Sequence, residues 1–288
     1  MSRDSGLKFT PASKGDTYDK MSCCSQCLKE PGTKPFAVCS ACKEISFCSR
    51  DCQIQAWPVH KTVCQMRKNT IAAKAHAPSS ATFPPFIIRK RLLTDFIEAH
   101  ECTFRSGFTS ALTLEGGIEN FPFDRRVLTV MLRYRPDCNE NPSVAYSVLG
   151  HTWTTSAEMT ARFGYMTDAL ELEIDARMRV KADYRGLLRV YFRMEDNIVQ
   201  ELYPQIVPQG LEAILHRAAT ATVNHTQWMT RVQRFVNDGL VMRAPGEHEA
   251  VMQLGRLKIR KGKWVWVQLT PAELLEFGYP SDFTGLLF

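Results

Sequence analysis

Eight cysteines fall within residues 23–64 of a 288-residue chain that has ten in all. Four pairs stand out within that stretch. Cys24–Cys27 and Cys39–Cys42 are Cys-x2-Cys knuckles, and Cys48–Cys52 and His60–Cys64 are four residues apart. A knuckle lets a tight turn aim two sulfurs at one ion, and a pair at i and i+4 does so from one face of a helix. The first twenty residues are polar and charged, with no apolar stretch for a secretory signal, and no apolar run reaches transmembrane length. An intracellular, reducing setting, nuclear or cytoplasmic, is therefore expected, where clustered cysteines serve as metal ligands in preference to disulfides.

Eight ligands make two tetrahedral sites with no open position, the pattern of structural zinc. Spacing alone does not choose between sequential and interleaved pairing of the four ligand pairs. Cys23 is the spare thiol, because Cys24 makes the tighter knuckle with Cys27. Cys102 and Cys138 lie outside the cluster and are expected to be small buried hydrophobes. Between the ligands the large apolar residues are few, among them Phe36, Val38, Phe47, Ile54 and Trp57. That is too little core for some forty residues, so metal must supply the folding energy, on the order of 10–16 kcal/mol per site.

Residues 24–64 resemble a MYND-type zinc finger. The resemblance rests on the four pairs, on "FCSRDCQ", on Trp57 and on "HKTVC". It implies interleaved ligands: Cys24, Cys27, Cys48 and Cys52 on one zinc, Cys39, Cys42, His60 and Cys64 on the other. It also implies that Gln53 and Trp57 line a shallow groove for proline-containing peptides of other proteins. The chemistry suits that role, since an indole offers a flat apolar face to proline rings. A glutamine amide both donates to and accepts from a peptide backbone. The arrangement further resembles fungal proteins with an N-terminal MYND finger and a C-terminal α+β domain.

The formal net charge of +6 lies wholly in residues 1–77, which hold twelve Lys/Arg against six Asp/Glu. A zinc on four thiolates leaves −2 and one on three thiolates and an imidazole leaves −1, so the loaded segment carries about +3. This mild excess argues against a nucleic-acid partner, and no membrane partner is expected. Arg89-Lys90-Arg91 reads as the solvated start of a helix.

The expected organisation is a tail (1–21), the finger (22–70), a Pro/Ser-rich linker (71–85) and a mixed α+β domain (86–288). Helical spacing runs through Ile88, Leu92, Leu93, Phe96 and Ile97 to Phe104, Phe108, Ala111 and Leu112, and Gly116–Gly117 ends it. Strands are predicted at 127–135 and 143–153, then a helical stretch over 156–182. The alternation in "YRGLLRVYFRM" predicts a half-exposed strand. An amphipathic helix over 222–238 and a hairpin turning at Lys261-Gly262-Lys263 follow. "TPAEL" (270–274) is a capping box.

Chemistry-bearing motifs are sparse beyond the finger. Walker, dinucleotide-binding, nucleophile-elbow and HExxH patterns are missing. Asn224-His225-Thr226 lacks the cysteine that would follow in a SET-type methyltransferase, and no three-cysteine cluster closes the chain. His100, His151, His216, His225 and His248 are isolated, and Glu171, Glu173 and Asp175 read as a solvated face. The expected role is thus a non-enzymatic interaction protein with two structural zincs. A catalytic activity in the larger domain and a nuclear transcriptional regulator are the alternatives.

Overall fold

The computed structural model describes residues 24–27, 29, 36–42, 45–75, 84–163, 171, 175–176, 178–194, 198–206, 225–243, 251–260, 263–283 and 285–286. The tail, most of the linker, Cys23 and the hairpin residues 261–262 lie outside them. The chain divides into two compact units. One spans Thr17–Ile88 with Met166–Met178, and the other holds Arg89–Tyr165 and Arg179–Phe288.

In the first unit, β1 (Ala37–Val38) pairs antiparallel with β2 (Ser46–Phe47), and α1 (Arg50–Ala75) follows. A proline in sequence reads as the start of a new turn, but α1 runs through Pro58 without a break. Proline lacks the amide that would bond the Ile54 carbonyl, at a cost of about 3 kcal/mol. Ligands on both sides of Pro58, Cys52 before it and His60 and Cys64 after it, hold the helix in register. Glu171, read above as solvated, is buried.

In the second unit the expected single helix is two, α2 (Phe86–Ala99) and α3 (Glu101–Leu114), broken at His100. His100 leaves helical backbone (φ −102°, ψ 13°), and its Nε2 donates to the Ser143 carbonyl at 2.9 Å. The α3 end closes as the glycines dictate: the Gly117 amide bonds back to the Leu112 carbonyl at 3.0 Å.

A four-stranded mixed sheet carries the centre of this unit. β3 (Arg126–Tyr134) pairs antiparallel with β4 (Tyr146–Thr155) and parallel with β5 (Tyr184–Arg193), which pairs antiparallel with β6 (Ile198–Ile206). On one face α3 sets Phe104 against Phe192 (4.9 Å between ring centres) and Phe108 against Tyr203 (5.0 Å). On the other face α4 (Ser156–Phe163) buries Met159 with Val127 and Tyr191. Strand β5 is therefore buried on both faces, not half-exposed. Even Arg189 is buried, donating to the Phe123 and Asp124 carbonyls and to Ser156 Oγ at 2.8–2.9 Å. Those bonds satisfy a guanidinium that hydrophobic alternation had placed in solvent.

The amphipathic helix is α5 (Trp228–Asn237), which buries Trp228, Val232 and Val236. Gly107 of α3 lets the two helices close, because a Cβ there would strike Val232 and Trp228. Gly239 (φ +69°) ends α5 in the left-handed region that glycine tolerates best. A second sheet, β7 (Val241–Arg243), β8 (Val251–Arg260), β9 (Lys263–Gln268) and β10 (Gly285–Leu286), is centred on β8. Arg260 stands opposite Lys263 where β8 pairs antiparallel with β9. The capping box before α6 (Pro271–Glu276) has both its bonds. Mixed helices and strands make this an α+β arrangement.

Candidate metal centre and the exposed face of its helix

The interleaved pairing implied by the resemblance is the one found. Cys24, Cys27, Cys48 and Cys52 gather into one cluster, and Cys39, Cys42, His60 and Cys64 into a second, each with its ligand atoms within 4.8 Å of one another. The backbone explains how. The Ser25 amide bonds the Ser46 carbonyl (2.9 Å) and the Cys39 amide bonds the Ile45 carbonyl (2.8 Å). These bonds tie both knuckles to the chain entering β2. Strand β2 then delivers Cys48 and, through α1, Cys52, His60 and Cys64.

The spacing within each cluster suits a tetrahedral ion. Zinc–sulfur bonds of about 2.3 Å put neighbouring sulfurs about 3.8 Å apart. Cys27–Cys48 and Cys48–Cys52 Sγ pairs stand at 3.5 Å, Cys39–Cys64 at 3.7 Å, and Cys42 Sγ lies 3.7 Å from His60 Nε2. Electrostatics point the same way. Burial opposes a Cys24 thiolate, yet the Cys27, Cys48 and Gln26 amides outweigh it and bring its pKa down to about 6. Sharing a proton with Cys27 and Cys52 pushes Cys48 up to about 12. Burial and the bond to Cys39 push Cys64 up to about 12. Without metal, a thiolate is favoured at Cys24 and Cys39 and disfavoured at Cys48, Cys52 and Cys64. A dication allows all the sulfurs to be anionic. The two clusters fit two structural zinc ions, with no ligand position left for substrate.

Gln53 and Trp57 share a face of α1, one turn apart. Trp57 packs its ring edge-on against His60 (6.0 Å between centres) yet remains 43% exposed. Gln53 is half-buried. A concavity of about 410 Å³ runs from Phe36, Ala37 and Val38 across Phe47, Cys48, Ser49 and Arg50 to Gln53. Sequence reasoning missed most of this wall, and also the exposure of Ile54 on α1, which is 59% exposed. The legible signal was the scarcity of apolar residues: in so small a module, an isoleucine on a helix that already carries three ligands has no core left to enter.

The isolated histidines carry no convergent chemistry among the described residues. His100 is fully buried, and burial lowers its pKa to about 4, against the Ser143 hydrogen bond and with help from the Arg243 charge. His151 packs on Trp228. His225 sits in a short 3-10 turn before α5. His216 and His248 lie outside the described residues. Cys102 and Cys138 are buried, as expected of small hydrophobes. No described helix is long and apolar enough to cross a membrane.

Residues 24–64 match the family model of the MYND finger. A zinc finger MYND domain-containing protein 10 homolog of Drosophila melanogaster is 40% identical over 53 residues, 18% of this chain and 11% of that protein. A SET and MYND domain-containing protein of Dictyostelium discoideum is 44% identical over 48 residues, 15% of this chain and 9% of that protein. The chain thus spans about a tenth of the length of these relatives. No solved structure matches. Residues 24–64 of this chain are a MYND zinc finger, a zinc-binding protein-interaction module.

Proposed function

We propose that the finger recruits other proteins by binding extended, proline-containing segments across Gln53 and Trp57. The observation that carries this reading is Trp57: its edge is anchored on the zinc-ligating His60 while 43% of its surface stays open. A fixed, exposed indole presents a flat face without an ordering cost on binding. The Gln53 amide is the polar partner one turn away. The exposed strand β1 forms the far wall of the adjoining concavity and offers main-chain groups to an extended ligand. The chain acts as a scaffold or regulator, and no catalytic step is assigned to it.

The test is a titration of the full, zinc-loaded chain against proline-containing peptides, wild type beside Trp57→Ala. So small an interface should bind in the micromolar to hundred-micromolar range, roughly. Binding should weaken at least tenfold in Trp57→Ala while both proteins keep two zincs. Equal binding by the two proteins, or none by the loaded wild type, contradicts the reading.

A further inference from the structure

The two metal clusters differ in their access to solvent. Cys39, Cys42, His60 and Cys64 are all buried. In the other cluster only Cys24 is buried, while Cys48 and Cys52 are partly open and Cys27 is exposed. Cys48 holds a central place: its Sγ is 3.5 Å from both Cys27 and Cys52. It also lines the concavity that ends at Gln53. A small oxidant therefore reaches sulfur in one cluster and not in the other.

We propose that Cys27 and Cys48 form a peroxide-sensitive dithiol site, whose oxidation releases one zinc from the finger and leaves the buried cluster loaded. The exposed Cys27 thiolate attacks hydrogen peroxide. A sulfur–oxygen bond forms, the oxygen–oxygen bond breaks, and the departing hydroxide takes a proton to become water. The Cys48 thiolate then attacks the sulfenic sulfur of Cys27. The disulfide forms, the sulfur–oxygen bond breaks, and a second hydroxide leaves and is protonated to water. Two thiolates lose two electrons, and peroxide gains two electrons and two protons. Cys24 and Cys52 remain as the only anionic ligands, too few to retain the ion. The Cys48 edge of the concavity is rebuilt by the new bond. Loss of peptide binding on oxidation rests on the function proposed above, whereas the zinc count does not.

The experiment takes the full chain with two zincs, verified by native mass spectrometry, and adds excess hydrogen peroxide. Released zinc is followed with a colorimetric chelator, and the protein is alkylated and mapped by peptide mass spectrometry. The expected result is one zinc released per chain, a Cys27–Cys48 disulfide, and Cys39, Cys42 and Cys64 unoxidised. Reductant plus zinc should restore two ions. A Cys27→Ser protein lacks a ligand of the open cluster and should start with one zinc, and at the same dose it should keep that buried ion with Cys39, Cys42 and Cys64 unoxidised. Simultaneous loss of both zincs, first loss from the buried cluster, no loss at all, or a bridge through Cys23 would each overturn the proposal. Peptide titration of the oxidised protein is scored separately, so failure of the peptide reading is distinguishable from failure of the redox site.

Discussion

In the finger the buried residues are chiefly ligands, Cys24, Cys39, Cys42, His60 and Cys64, with Phe47 and Ala56 as the apolar additions. In the larger unit the largest fully buried side chains are Phe96, Phe104, Phe108, Tyr146, Tyr191, Phe192 and the leucines Leu93, Leu112, Leu128, Leu188 and Leu240. One unit closes around ions and the other around rings and branched chains. Apolar burial contributes roughly 1.5–3 kcal/mol per large side chain, so many must cooperate. A zinc site contributes several times that from four ligands. The comparison teaches why the finger can leave Ile54 and Trp57 on its surface. Zinc supplies most of its stability, so they can stay open to solvent.

The largest effect that would sharpen this contrast comes from removing one ligand. His60→Ala opens a closed site, at a cost that is a large part of about 10 kcal/mol. The finger should lose its fold, and zinc content should fall, while the larger unit keeps its cooperative melt. Phe104→Ala reverses the pattern. It deletes a ring packed on Phe96, Phe108 and Phe192 and should destabilise the larger unit by about 3–5 kcal/mol, with two zincs retained.

His100 gives the larger unit a proton effect of its own. His100 is buried neutral with a folded pKa near 4, below its unfolded value near 6.5. Its contribution is therefore complete above pH 6.5 and is lost as pH falls toward 4, on the order of 3 kcal/mol. Thermal melts should show this loss, and His100→Gln should flatten it over that window. The smallest effect is at α6. Thr270→Ala removes the Oγ that accepts from the Glu273 amide and should cost about 1 kcal/mol, read as a small drop in melting temperature.

The finger was legible because ligand chemistry is written in spacing: Cys-x2-Cys and i, i+4 pairs admit few structures. Which pairs shared an ion came from the family resemblance and not from spacing, because it depends on how both knuckles tie to the chain at β2. The capping box and the glycine-closed helix ends were local and equally readable. Strand β5 was misread because alternation reports one covered face, and the second cover, α4, is a tertiary event. Arg189 reaches its three oxygen partners only after that packing. The break at His100 was hidden likewise, because the apolar spacing of α2 and α3 continues across it and the Ser143 carbonyl is 43 residues away. Most of the concavity beside Gln53 was invisible, since Phe36, Val38 and Phe47 meet only when β1 and β2 pair.

The most direct test of the central contrast is hydrogen exchange of the full chain, zinc-loaded and after treatment with a strong chelator. On metal removal, amides of 45–64 should lose their protection. Those of β3 and β5 should keep theirs. Protection retained across 45–64 in metal-free protein would contradict the account, and so would collapse of β3 and β5 along with the finger.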